Sequence, residues 1–282
     1  MTIRNPVEWA WHNFSLSGFN PRAYYRTQDE LSDPVPQIRK IGISDLADAV
    51  AKGVRDFAES RTDVLFIGII YPLAGLVLAQ LVIGNDMLPL IFPLISGFAL
   101  LGPVAAAGLY EMSRRREQGL EPNWTDSFQV MARPSFGALL VLAVITICGF
   151  FVWLATAWGI YSLTMGPESS ASLTSFISDV FTTTRGWALI VVGCGVGFVF
   201  ALAVLATSVF AFPLLLDRKV SLVTAVGTSV RAFRLNLVPM LIWGFFVALS
   251  LLIGAIPLLL GLIIVVPVLG HSTWHLYRKV LA

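Results

Sequence analysis

FGALLVLAVITICGFFVWLATAWGIYSLTM, residues 136–165, runs for thirty residues without one Asp, Glu, Lys or Arg. A helix needs about 20 consecutive apolar residues to cross the hydrocarbon core of a bilayer. Backbone groups in lipid must find their partners within the protein, which excludes open strands. The stretch therefore predicts a membrane-spanning helix, long enough to tilt or to extend past the bilayer. Five more runs share its character: 64–83, 88–110, 186–216, 238–254 and 255–273. Little more than Gly254 separates the last two, which fits a tight hairpin or a broken pair. The expected fold is all-α, a polytopic membrane helix bundle with six transmembrane helices.

Composition agrees with this. Charged side chains make up 13% of the chain and hydrophobic ones 56%, and mean hydropathy is +0.79. A soluble domain carries roughly 25% charged residues to cover its surface, so an exterior facing lipid accounts for the shortfall. A net charge of +2 is too small to suggest nucleic acid, and no basic stretch alternates with aromatics as a binding groove would. Cys148 and Cys194 each lie inside an apolar run, where they read as small hydrophobes and supply neither a disulfide framework nor a thiolate metal site.

Residues 1–37 lack the apolar core of a signal peptide and are punctuated by Pro6, Pro21, Pro34 and Pro36. They are expected to form a flexible cytoplasmic arm, leaving 38–282 as the six-span membrane domain. Orientation follows from the basic residues. Of the 19 Lys and Arg, only Arg185 falls on the side opposite the others once six spans are drawn. The positive-inside rule then places both termini in the cytoplasm, in a bacterial inner membrane.

The chain also resembles itself. Leu46, Val50, Val54 and Phe57 form an apolar stripe ahead of the first span, and Leu222, Val226, Val230 and Phe233 repeat those spacings ahead of the fifth. Residues 124–133 give a weaker middle copy. Pro93, Gly97 and Pro103 in the second span correspond to Pro257, Gly261 and Pro267 in the sixth. These matches predict three parallel repeats, each an amphipathic interfacial helix followed by a helical hairpin. Segments 44–57, 124–133 and 220–233 would be those helices, with Lys52 and Thr228 among their exposed positions.

Ionisable groups are absent from the span centres, which argues against a proton pump or a voltage sensor. Polar residues collect instead at the predicted cytoplasmic ends of the second, fourth and sixth spans. Arg114, Arg115, Arg116, Asp217, Arg218 and Arg278 are the candidates for contact with lipid headgroups or a ligand. His271 and His275 stand four apart on one helical face, a spacing that suits a metal, and the repeat sets Glu111 level with His275 as a conceivable third ligand. The bland alternative, that both histidines hydrogen-bond within an aromatic interfacial belt beside Trp274 and Tyr277, is preferred, so no metal is expected. No catalytic motif is present: there is no GxSxG, no HExxH and no phosphate-cradling glycine loop. Serines 169, 170, 172 and 175 read as part of a polar connector, with a short surface helix near 176–181.

Several stretches carry a family resemblance: Arg39-Lys40-Ile41, Tyr71-Pro72-Leu73, Gly97 to Pro103, Tyr110-Glu111, Gly186-Trp187, Phe212 to Arg218, Pro267 to His271 and Trp274 to Arg278. Together they resemble a bacterial family of predicted integral membrane proteins, domain of unknown function 2189, over about residues 38–280. The family implies no activity and no cofactor. The expected function is that of a non-enzymatic inner-membrane protein binding lipid, a small solute or another inner-membrane complex. The alternatives are a transporter with a path between three repeats, an accessory component near a respiratory oxidase, and a metal-dependent membrane enzyme using His271 and His275. Oligomeric state is not legible at this level.

Overall fold

The computed structural model describes residues 34, 36–84, 87–120, 130–131, 133, 135–166 and 173–281, and among these the only β pairing is a single bridge between Ile38 and Leu281. Helix α1 (Ile43–Gly84) is unbroken over 42 residues. At 1.5 Å per residue it is about 60 Å long, twice the thickness of a hydrocarbon core. The chain then zigzags through α2 (Ile91–Phe98), α3 (Gly102–Ala105) and α4 (Ala107–Glu117), with 3₁₀ turns between. Next come α5 (Phe136–Thr164), α6 (Leu173–Thr182), α7 (Thr184–Ser208) and α8 (Ala211–Asp217). The order closes with α9 (Leu222–Leu235), α10 (Leu237–Ala255) and α11 (Leu262–Val280). Helix α6 covers the short surface helix expected near 176–181.

Four helical stretches among the described residues are long and apolar enough to cross a membrane: Ile91–Glu117, Phe136–Thr164, Thr184–Asp217 and Leu237–Ala255. Their outward faces carry large apolar side chains that a soluble protein would bury. Phe151, Val152, Phe198, Val199, Phe245 and Leu252 are all more than half exposed, which makes sense only beside lipid. The last apolar run is not helical over its full length. Residues 256–261 form the turn of a hairpin, with Leu258 and Leu259 at positive φ (51° and 66°). A Cβ on Gly261 would lie 2.7 Å from the carbonyl oxygen of Gly254, so only glycine lets the two arms approach there. Helix α11 therefore starts at Leu262 and reaches Val280, later at both ends than the run 255–273.

Two helix breaks have visible causes. Between α7 and α8 the Ser229 hydroxyl donates to the carbonyl of Ala206 (2.8 Å) and accepts from the amide of Phe210 (3.3 Å). In an unbroken helix those two groups would bond to each other; the inserted side chain opens the ladder, and Pro213 lacks the amide to continue it. Between α9 and α10, Asn236 donates to the carbonyls of Ala232 and Arg39 and accepts from the amide of Ile41. It ends one helix and ties the break to the segment ahead of α1.

The amphipathic segments differ from expectation in detail. Segment 44–57 is not a separate interfacial helix, because α1 runs from it straight into the apolar stretch beyond. The face it buries is Leu46, Ala49, Gly53 and Asp56, while Val54 is half exposed. In α9 the buried face is Ala225, Thr228, Ser229, Ala232 and Phe233. Thr228, expected to be exposed, is wholly buried. Close helix packing selects small residues for the contact line, so the faces are turned from the valine stripes toward alanine, glycine and serine. Of the middle segment 124–133 only residues 130, 131 and 133 are described. The arm 1–37, apart from 34, 36 and 37, and the connector serines 169, 170 and 172 lie outside the described residues.

The packed core sits at one end of this unit, where α4, α8 and the second half of α11 meet the first half of α1. Leu109, Tyr110, Met112, Phe210, Phe212, Leu214, Leu215, Trp274 and Tyr277 are almost inaccessible there. Away from that end, α2, α5 and α7 meet in a smaller cluster around Trp153, Leu100 and Ala157. Gly97 and Gly197 both press on the Trp153 ring, whose indole N–H donates to the carbonyl of Pro93 (2.8 Å).

Candidate functional site

The same end of the molecule holds most of its described charges, arranged as three linked clusters. The first joins α1, α4 and α11. Asp56 accepts from the Ser113 hydroxyl (3.0 Å) and lies 2.9 Å from His275 Nε2, and Ser113 Oγ is 2.6 Å from His271 Nδ1. Arg116 donates to the Asp56 carbonyl (2.6 Å) and also approaches the Asp56 and Glu59 carboxylates. Burial alone would raise the Asp56 pKa. The hydrogen bond from His275, the charges of His275 and His271, and the Ser113 hydroxyl outweigh it, so the carboxyl is held below its ordinary value of 3.8. As a carboxylate, Asp56 can only accept, so the one Ser113 proton goes to it. His271 must then donate from Nδ1 to Ser113 Oγ, which in the neutral ring leaves Nε2 a bare acceptor. That atom is buried and has no hydrogen-bond partner among the described residues.

In the second cluster Glu111, with a side chain wholly shielded from solvent, sits among three guanidinium groups. Arg114 reaches it through Nε (3.0 Å) and Nη2 (3.1 Å), Arg115 through Nε (3.3 Å) and Arg133 through Nη2 (2.6 Å). A buried carboxylate without such partners would be strongly unfavourable. Arg114 and Arg115 follow Glu111 at helical spacings of three and four. Arg133 comes from beyond the described end of α4, just ahead of α5.

The third cluster ties α11 to α4 and α8. Asp217 accepts from the Tyr277 hydroxyl (2.6 Å) and from Arg278 (3.0 Å), with Arg218 at 4.0 Å. Glu117 takes Arg278 (3.0 Å) and the Trp274 indole (3.3 Å). At the rim, Lys279 bridges Asp45 and Asp48, both at 2.9 Å, and those hydrogen bonds raise its pKa. The backbone of Arg39 closes this end by bonding the carbonyl of Val280 (2.8 Å).

Every candidate site residue from the sequence thus lies at this end, but they do not form one site. His271 and His275 do share a face, and both turn toward Asp56. Glu111 meets arginines and no histidine. Among the described residues no group of three or more His, Cys, Asp or Glu is arranged to hold a metal ion. Residues 91–217 match the family described as predicted integral membrane protein (DUF2189). This is the family that the motifs resemble, and the likeness covers 127 of the 282 residues; its description as a predicted integral membrane protein agrees with the four apolar helices. The family segment holds Glu111 with all three of its arginines, as well as Ser113, Glu117 and Asp217. Their partners Asp56, His271, His275, Tyr277 and Arg278 lie outside it. No curated protein and no solved structure matched the chain.

Asp56 and Arg133 were not among the candidate site residues: in the sequence Asp56 is only a charge off the apolar stripe of 44–57, and Arg133 only a basic residue of the orientation count at the end of the middle copy 124–133. Ser113, Glu117 and Asn236 gave no signal of their roles. Their partners are 57 or more residues away in the chain for Ser113 and Asp56, and 195 for Asn236 and Ile41, so no local spacing could have found them.

Proposed function

We propose that this is a non-enzymatic, multi-pass inner-membrane protein that acts by binding at its cytoplasmic face, with membrane lipid as the first ligand. In this reading both termini are cytoplasmic. The chain makes six spans, counting the second half of α1 and the first half of α11, and they derive from parallel repeats. The repeat is supported by the buried faces of α1 and α9: Ala49 and Ala225, Gly53 and Ser229, and Asp56 and Ala232 are equivalent under one offset, and all are buried.

The observation that carries the reading is the polar end itself. Each described acid there is matched to a base or a hydroxyl, so the charges hold helices together; the Ser113 hydroxyl does meet His271, but it gives its proton to Asp56 and both side chains are buried, so the imidazole is not placed as an activating base. The surface left for interaction is apolar flank and arginine-rich rim, a combination suited to lipid. The test is native mass spectrometry of the gently extracted protein, beside reporters fused after Ala282, within 114–122 and within 167–172. The expected result is co-purifying phospholipid, with the first two reporters cytoplasmic and the third exported. An exported carboxy-terminal reporter, or a protein free of lipid that carries a stoichiometric solute, would reject the reading.

A further inference from the structure

Among the described residues, the arrangement around Glu111 holds more positive charge than one buried carboxylate requires. Four N–H groups point at it, and a carboxylate has about four lone-pair sites, so its capacity is filled. Arg114 spends two of its five N–H donors there and Arg133 only one. The carboxy-terminal end of α4 contributes roughly half a negative charge. Even with Arg115 set aside, two guanidiniums against one carboxylate and that dipole leave a positive excess among the described residues. The Arg114 and Arg133 side chains are 13% and 27% exposed. They are braced from within yet still open outward, and their planar forks match phosphate oxygens.

We propose that Arg114 and Arg133, held in place by Glu111, bind the phosphate of an anionic ligand at the membrane–water interface. This rests on the reading that this end faces the cytoplasm. Glu111 is then a positioning residue: it fixes two forks from separate parts of the chain at one spot, which lowers the ordering cost of phosphate capture. The phosphate could belong to a phospholipid headgroup or to a soluble anion, and the chemistry of the site is the same for both.

The test uses the full-length protein in detergent, with phosphatidylglycerol, phosphatidylcholine and inorganic phosphate as probes. Native mass spectrometry should show phosphatidylglycerol bound at least about tenfold more tightly than phosphatidylcholine, whose ammonium masks its phosphate. Arg133→Gln and Arg114→Gln should each remove most of that preference, and Arg231→Gln, at an exposed arginine elsewhere, should leave it intact. Phenylglyoxal labelling of Arg133 in the wild-type protein, mapped on peptides, needs no variant to fold. It should fall severalfold when phosphatidylglycerol is added. Protection by the lipid alone assigns the site to a headgroup, and equal protection by inorganic phosphate assigns it to a soluble anion. Equal binding of the two lipids, with Arg133 unprotected by any probe, overturns the proposal. Reporter fusions are scored separately: an exported 114–122 reporter removes the orientation, whereas a cytoplasmic one with Arg133 unprotected removes the phosphate site alone.

Discussion

Gly53 and Asp56, three residues apart on α1, set the contact with α11. A Cβ added at Gly53 would collide with the Ser272 hydroxyl and lie 2.6 Å from the Ser272 amide nitrogen. Alanine is favoured over glycine in a helix by about 1 kcal/mol. Overpacking against backbone that cannot yield costs about 1–3 kcal/mol or more, so Gly53→Ala should destabilise. A clear fall in the detergent melting temperature is expected; a rise would mean that the helices are farther apart than described. Asp56 makes the same contact sensitive to acid. Its folded pKa is depressed, so its pairing contributes fully above the unfolded value near 3.8 and is lost as pH falls through the folded value. Wild-type melting temperature should therefore decline as pH falls from about 5 to 3, and Asp56→Asn, weaker at neutral pH, should decline less over that window. Parallel curves for the two proteins would show that Asp56 is not a group whose protonation matters.

Among the elements, α1 and α9 invite direct comparison. Val50 and Val226 are both half-buried against the same core. Val50→Asp and Val226→Asp should each cost a few kcal/mol, since each drives a carboxylate into an apolar contact. If the first is silent and the second abolishes folding, the two elements are not equivalent. Thr228→Asp should be as harmful as either, because Thr228 is wholly buried, whereas Lys52→Ala should stay within about 0.5 kcal/mol. Melting temperature and membrane insertion, followed separately, check all four. Where these elements differ is at their ends: α1 continues through the level at which Asn236 interrupts α9 and α10. The apolar periodicity was legible in both segments. The rotation of each face toward alanine, glycine and serine was not, because it depends on how near a neighbouring helix can come.

For the molecule as a whole, the sharpest expectation concerns direction. A reporter after Ala282 should be cytoplasmic, since 18 of the 19 Lys and Arg fall on one side of the six-span drawing. An exported reporter would break the six-span order whatever the fate of any single helix. The distribution of packing gives this architecture its character. Most of the buried side chains and nearly all the described ion pairs lie at one end, while the middles of α5, α7 and α10 turn large apolar residues outward. No described part of the chain covers that surface, which suits helices that cross a bilayer.

Membership in the membrane class and the helical content needed no tertiary information. Apolar length and charge shortage are properties of the chain itself, and a bilayer permits few architectures. The gathering of polar residues near helix ends was equally visible, since charge is expelled from the hydrocarbon core. Only the folded chain decided which polar groups meet: Asp56 with His275 and Ser113, Glu111 with Arg133, Tyr277 with Asp217. Arg114 and Arg115 could be matched to Glu111 by helical spacing, but Arg133 could not. Hydrogen bonds act over about 3 Å, and chain separation beyond a helical turn carries no information about distance until the helices have packed.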